Sequence, residues 1–118
     1  EAQVQAIERC VETAKRVAVR GADAVVLIDT LDGLAPAAAR RIMAAARNLA
    51  ESGSLTIVAT AAEPVGGETT VVALDRALTA AGRFPNLDLA ASGTLRPELL
   101  VGEGGARAIA EEHAKVGA

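Results

Sequence analysis

Hydrophobic residues follow two different patterns in the first thirty positions of the chain. Residues 1–20 carry apolar side chains at spacings of three and four, and Gly21 comes directly after them. This spacing predicts an amphipathic helix that ends at the glycine. Residues 24–28 are all apolar, and Asp29 follows them. An unbroken apolar run of this kind is typical of a strand that is buried on both faces.

The pattern then alternates between helix and strand. We predict a second helix over 37–51, which begins after Pro36, and a β-branched apolar strand over 54–60. Two strands around one helix make a βαβ unit, in which the strands are parallel. If these strands are neighbours, Asp29 and Thr60 lie at the same edge of the sheet, where open parallel sheets place their chemistry.

The second half of the chain contains shorter elements. In order, we predict a connector at 61–70, a strand at 71–74, a helical turn at 75–81, a strand or edge segment at 83–89, a turn at 92–94, and helices at 97–100 and 106–116. The connector contains Gly66-Gly67, and a glycine pair can cradle a phosphate. A phosphate loop also needs a following helix and usually a lysine, whereas Glu68 follows here, so the pattern favours a flexible connector.

Composition narrows the possible partners of the chain. Hydrophobic residues make up 51% but aromatic residues only 1%, so the core must consist of aliphatic side chains and bases have almost no aromatic ring to stack on. Lysine and arginine total 12 against 15 acidic residues, which is not the charge pattern of a nucleic-acid-binding surface. No apolar run reaches the roughly 18 residues of a membrane span.

Single cysteine and histidine residues limit the chemistry further. As the single cysteine, Cys10 cannot form an internal disulfide, and this fits a reducing, cytoplasmic compartment. Because Cys10 lies beside the apolar stripe of the first predicted helix, we expect it to be a small buried hydrophobic residue. His113 is expected at the surface, and one histidine does not make a metal site. The first residue is Glu and not Met, so we expect the chain to begin inside a longer gene product.

Several short segments occur in a distinctive order between residues 3 and 101. DAVVLIDTLDGLA occupies 23–35, AARN 45–48 and GSLTIVATA 53–61, and Ser92-Gly93-Thr94 follows. In this order they resemble the carboxy-terminal motor domain of the bacterial transcription termination factor Rho, a hexameric RecA-like ATPase that translocates on RNA. The resemblance implies an α/β fold with a RecA-like parallel sheet flanked by helices and truncated at its N-terminal side. It also implies one domain over 1–118, with a helical tail at 102–118.

The resemblance gives roles to three polar residues at the strand ends. Asp29 matches the Walker B aspartate, which serves Mg²⁺ and ATP, and Thr30 lies beside it. Thr60 matches the polar end of the next core strand, near the γ-phosphate. From the residues alone, Asp29 has a second interpretation, because an aspartate after a strand readily caps a turn.

The chain also departs from the family pattern. The resemblance would place the phosphate loop and the catalytic glutamate before residue 1. The arginine finger should follow Ser92-Gly93-Thr94 directly, but Leu95 occupies that position and Arg96 comes next. A second functional arginine falls at Gly82, with Arg83 one residue later. The resemblance also implies two RNA-contacting loops, both shortened in this chain. The second corresponds to Gly66-Gly67, which Glu68 follows where the family has a lysine.

Two functions of different classes remain. In the first, the chain is part of a Rho-like RNA-dependent ATPase. Its cofactors are then ATP and Mg²⁺, its partners are RNA and further copies of itself, and Arg83 or Arg96 acts in catalysis. In that case we expect the isolated chain to be inactive and to bind ATP weakly. Alternatively, it is a non-enzymatic structural or regulatory module derived from that fold.

Overall fold

A computed structural model describes residues 2–116 of the chain. The chain has a mixed α/β fold with two small sheets, and it divides into two compact units. The first unit ends at Glu68 and the second begins at Thr69. Each unit is described by itself below, and the single domain over 1–118 stays a prediction.

The first unit is a three-stranded sheet with two helices. Its elements are α1 (Ala2–Val19), β1 (Asp23–Ile28), α2 (Pro36–Met43), β2 (Arg47–Asn48) and β3 (Ser54–Ala59). The strand order is β1-β3-β2, and β1 runs parallel to β3 with Asp23 opposite Ser54 and Ile28 opposite Ala59. The predicted βαβ unit is therefore confirmed, with α2 in the crossover.

The core of the first unit lies on one face of the sheet. Val26 and Ile28 of β1 join Leu55 and Ile57 of β3 in one buried cluster, to which α1 and α2 contribute Val11, Ala18, Ala39 and Ile42. The intervening side chains point away from this cluster, and Val25, Leu27 and Val58 are 60%, 75% and 52% exposed. The prediction that β1 is buried on both faces is wrong, because both helices pack against the same face.

The second helix is shorter than predicted. It ends at Met43 instead of residue 51, and Arg47–Asn48 form β2, which pairs antiparallel with Leu55 and Ser54. A tight turn makes this pairing possible, in which the Leu49 amide donates to the Gly53 carbonyl at 3.0 Å. Pairing with the open edge of β3 satisfies backbone groups of both strands, and this outweighs the helical preference of the alanine-rich sequence.

The second unit consists of a two-stranded sheet and two helices. Its elements are β4 (Thr70–Val71), α3 (Arg76–Ala80), β5 (Gly93–Thr94) and α4 (Glu98–Val116), and β4 pairs antiparallel with β5. Asp75 caps α3, since its carboxylate accepts from the amides of Ala77 and Leu78 at 2.7 and 3.4 Å. The helical turn predicted at 75–81 is confirmed.

Four other predictions in this unit need correction. The strand predicted at 71–74 is confined to Thr70–Val71, and the segment at 83–89 contributes only an isolated bridge from Leu87 to Leu74. Gly93–Thr94 is a strand and not a turn, because its hydrogen-bonded partner is β4. The two helices predicted after Pro97 are joined in one element, α4, which is kinked at Gly102, where φ is +75°. Within residues 2–116, each helix falls short of the length and apolarity that crossing a membrane would require.

Candidate functional site

The ends of β1 and β3 are joined by hydrogen bonds at one edge of the first sheet. The Thr60 hydroxyl donates to the backbone carbonyl of Asp29. The Thr60 amide donates to the Ile28 carbonyl at 3.3 Å, and the Leu31 amide donates to the Thr60 carbonyl at 2.9 Å. The predicted placement of Asp29 and Thr60 at the same edge is confirmed.

The segments that follow the two strands are also tied together. The Thr30 hydroxyl oxygen accepts from the Asp32 amide at 3.0 Å, which forms a local turn. The Asp32 carboxylate in turn accepts from the Ala62 amide at 3.0 Å, across from the loop after β3. The sequence interpretation missed Asp32; the threonine two residues before it, a common turn pattern, was the signal that could have revealed it.

Asp29 presents a carboxylate to solvent at this edge. Its side chain is exposed and, among the residues that the structure describes, it forms no hydrogen bond or ion pair. Mg²⁺ in proteins is commonly held by one or two carboxylates, with water and substrate phosphates completing the octahedron. Residues 2–116 contain no group of three or more His, Cys, Asp or Glu that could hold a metal. A cation at Asp29 would therefore need water or phosphate oxygens as its other ligands.

A cleft of about 420 Å³ opens beside Asp29 and Thr30. Its walls include Ile7 and Cys10 of α1 and Leu34 of the loop after β1. Cys10 is exposed, so the prediction of a buried cysteine is wrong. It precedes buried Val11 by one position, and one position turns a helix by about 100°, which takes the thiol off the buried stripe.

The two arginines predicted to act in catalysis lie in the second unit, whereas Asp29, Thr30 and Thr60 lie in the first. Arg96 donates from Nε to the Glu98 carboxylate. This hydrogen bond, helped by the Glu98 amide, lowers the pKa of the Glu98 carboxyl group. The Arg83 side chain is exposed, and its backbone amide donates to the Leu78 carbonyl at 2.9 Å. Arg96 therefore already has an anionic partner within its own segment.

The glycine pair of the predicted RNA loop packs closely against α2. A Cβ at Gly67 would collide with the backbone carbonyl of Arg40, and a Cβ at Gly66 would come within 3.1 Å of the Arg40 Cδ. Gly66 also has φ of +103°, a conformation that favours glycine. Close packing thus accounts for both glycines without a bound phosphate, and their RNA contact stays a prediction.

Glu68 holds the turn that contains these glycines. Its Oε2 atom accepts from the amides of Val65 and Gly66 at 3.2 and 2.8 Å. Burial raises the pKa of the Glu68 carboxyl group, but the backbone amides of residues 65–68 together outweigh it, so that the pKa is lowered. Glu68 therefore has a local structural role in this turn.

In the second unit, a groove of about 500 Å³ lies between the small sheet and α4. Thr70, Thr94 and His113 line it, and the two threonine hydroxyls are 2.8 Å apart. His113 is half-buried, with its ring 3.8 Å from the position that a Cβ on Gly93 would take. The ring packs on the sheet, which gives this histidine a structural environment.

Comparison with known proteins finds relatives along most of the chain. No family model matches it. The transcription termination factor Rho of Streptosporangium roseum is 39% identical over 80% of this chain, and the Rho factors of Mycobacterium tuberculosis and Chromobacterium violaceum are each 34% identical over 80% and 83%. The chain spans 34%, 21% and 32% of the lengths of these three relatives. The match falls in their carboxy-terminal region.

Proposed function

Because this chain is homologous to part of the carboxy-terminal region of transcription termination factor Rho, we propose that it is a Rho-like transcription termination domain with a nucleotide-facing edge at Asp29, Thr30 and Thr60. In this proposal β1 and β3 are two strands of a RecA-like parallel sheet. The parallel pairing of β1 with β3, and the position of α2 between them along the chain, support it. The ATPase and RNA-translocating activity of a complete motor would require residues beyond the 34% of a relative that this chain spans.

The parallel register of β1 and β3, which brings Asp29 and Thr60 to one edge of the sheet, is the observation that carries this proposal. It places the ends of two neighbouring parallel strands together, at the edge where α/β sheets bind ligands. The Asp29 carboxylate remains available, and it would hold Mg²⁺ directly or through water while the ion neutralises phosphate charge.

The two threonines at this edge are suited to different tasks. The Thr60 hydroxyl donates to the Asp29 carbonyl, so in this proposal it braces the two strand ends. The Thr30 oxygen accepts from the Asp32 amide, which leaves its proton free to be donated. In the proposed site, Thr30 is therefore the better donor to a phosphate oxygen.

The same chain lacks the usual means of gripping a triphosphate. Its 118 residues contain no G-x-x-x-x-G-K-[ST] loop, and the lysines are Lys15 and Lys115. Backbone amides and a lysine of such a loop supply much of the phosphate binding in P-loop ATPases. We therefore propose that the chain by itself neither binds ATP tightly nor hydrolyses it.

A non-enzymatic role is the second candidate, and two contacts favour it. Arg96 is paired with Glu98, and Glu68 occupies the loop where the family places a lysine. In this case the domain keeps the fold for assembly or regulation. RNA binding is part of the first candidate only, so filter binding with RNA distinguishes the two.

Paramagnetic NMR tests the proposed Mg²⁺ position at Asp29. Mn²⁺ with ADP, titrated into ¹⁵N-labelled protein, should broaden the amides of residues 29–31 first. Asp29→Asn should abolish this effect, whereas Asp23→Asn, at the other end of β1, should leave it intact. Broadening that survives Asp29→Asn would contradict the assignment. Calorimetry with Mg-ATP should show no saturable heat in the micromolar range, and micromolar binding would overturn the proposed loss of ATP binding.

A further inference from the structure

Residues 65–68 form a turn whose backbone amides converge on an anion that belongs to the chain itself. We propose that this turn is an oxyanion-binding nest, that the Glu68 carboxylate fills it, and that phosphate groups are thereby excluded from the loop. The proposal rests only on the geometry of the first unit and does not depend on nucleotide binding at Asp29.

The geometry is that of a bound anion. One carboxylate oxygen, Oε2 of Glu68, accepts from two successive amides, Val65 at 3.2 Å and Gly66 at 2.8 Å. Successive backbone amides that point into a concavity are the usual construction of phosphate-binding nests. A carboxylate in such a position receives charge-assisted hydrogen bonds, which are shorter and stronger than those between neutral groups.

The pKa of the Glu68 carboxyl group agrees with this geometry. Burial acts to raise the pKa of Glu68, yet the amides of Glu68, Gly66, Val65 and Gly67 lower it overall. The turn therefore favours a negative charge at this position over a neutral group. A phosphate oxygen carries the same charge and accepts hydrogen bonds in the same way, so it would compete for the same amides.

Close packing against α2 holds the turn in this shape. Gly67 lies so close to the Arg40 carbonyl that a Cβ would collide with it, and Gly66 lies against the aliphatic part of the Arg40 side chain. The nest is thus supported by contacts with the backbone and side chain of Arg40, which do not involve Glu68. We expect it to persist when the carboxylate is removed, with the cation of Arg40 as its neighbour on α2 and Glu63 as the other charged residue of the loop.

An internal ligand is difficult to displace. Because Glu68 is only two and three residues from the amides that it occupies, its effective concentration at the nest is high, and a phosphate in solution must compete with it. Its charge also repels an approaching phosphate. Removing the carboxylate should therefore uncover a weak phosphate site that the native chain does not offer.

Phosphate titration of three proteins tests this inference. Amide shifts of Val65, Gly66 and Gly67 are followed in ¹H–¹⁵N spectra of the native chain, Glu68→Ala and Glu63→Ala, with inorganic phosphate added at constant ionic strength. Glu63→Ala is the matched control, because it removes the same charge from the same loop. We expect saturable shifts in Glu68→Ala, with an apparent affinity about tenfold or more above that of the other two proteins.

A parallel titration with a short oligoribonucleotide identifies the source of the phosphate. Shifts with inorganic phosphate indicate a free oxyanion as ligand, and shifts with the oligoribonucleotide alone indicate a nucleic-acid backbone; each supports the nest. If Glu68→Ala disorders the turn, Glu68→Gln takes its place, because its neutral amide oxygen binds the nest amides more weakly than the carboxylate does and is more easily displaced. The proposal would be overturned if the amides of a folded Glu68 variant did not shift when phosphate is added. It would also be overturned if the native chain and Glu63→Ala shifted as much as the Glu68 variant.

Discussion

Arg41 on α2 donates two hydrogen bonds to one carboxylate oxygen of Glu8 on α1, from Nε at 3.2 Å and from Nη2 at 2.6 Å. This ion pair links the two helices that cover the same face of the sheet. Its side chains are 64% and 42% exposed, so water screens most of the attraction.

A double-mutant cycle of Glu8→Ala and Arg41→Ala should therefore give a small coupling. We expect about 0.2–1 kcal/mol from chemical denaturation at low salt, and less in 1 M salt, as is usual for exposed pairs. Lys15→Ala, which breaks a pair within α1, is the control for loss of an exposed ion pair that does not link the two helices. A coupling that does not change with salt would show that the pair is shielded from solvent and that its exposure is misjudged.

Gly53 is required where the turn between β2 and β3 meets the end of α1. Its amide donates to the Ala18 carbonyl at 2.9 Å, and a Cβ on Gly53 would collide with the backbone of Ala22. Gly53→Ala should lower the free energy of unfolding by about 1–3 kcal/mol through overpacking. Gly104→Ala, in α4 with open space around it, should instead raise it by up to about 1 kcal/mol. Urea denaturation of both variants measures the difference, and a neutral Gly53→Ala would contradict the close approach.

Neighbouring residues of β1 should differ sharply in their contribution to stability. Ile28 is 8% exposed and Leu27 is 75% exposed. Ile28→Ala should cost about 2–5 kcal/mol, because it leaves a cavity in the core. Leu27→Ala should change stability by about 0.5 kcal/mol or less. Equal costs, measured by denaturant titration, would show that both faces of β1 are covered.

Glu68 should make the turn at 65–68 sensitive to acid. Its folded-state pKa lies below the ordinary value of a glutamate, so its contribution is complete above the unfolded-state pKa and is lost as the pH falls through the folded-state pKa. The Val65 and Gly66 amide shifts should move together with the Glu68 carboxyl carbon in an NMR titration. Glu68→Gln should abolish this acid transition of the amides, and Glu63→Gln should not. A transition that persists in Glu68→Gln would assign it to another group.

The sequence was sufficient for the elements whose pattern is set by local spacing. The stripe of α1, the paired strands β1 and β3, and the shared edge of Asp29 and Thr60 are as predicted. These features depend on periodicity and on the parallel pairing that a βαβ crossover imposes, both of which can be recognised without tertiary contacts.

Most of the errors concern contacts between distant segments. Nothing local in Arg47–Asn48 indicates a strand, because its only reason to extend is the free edge of β3. Gly93–Thr94 extends because β4 is its partner, although the residues themselves favour a turn. An apolar run such as 24–28 shows that residues can be buried but not how many faces have a covering layer.

The candidate site, too, could be predicted only in part. The aspartate and threonine at the strand ends were recognisable from their positions, whereas the internal partners of Arg96 and Glu68 were not. Those partners decide which charged groups remain available to a ligand. Sequence spacing does not reveal them, because each depends on a side-chain rotamer or a backbone amide orientation.

The uncovered face of β1 and β3 has a consequence for the behaviour of the protein in concentrated solution. Among the described strands, β1 pairs on one side only, with β3, and its outward residues Val25 and Leu27 lie beside Val58. An unpaired strand edge next to an apolar strip is a template onto which another strand can add. We therefore expect these three side chains to affect colloidal stability more than folding stability, and a lysine at position 25 or 27 to improve it.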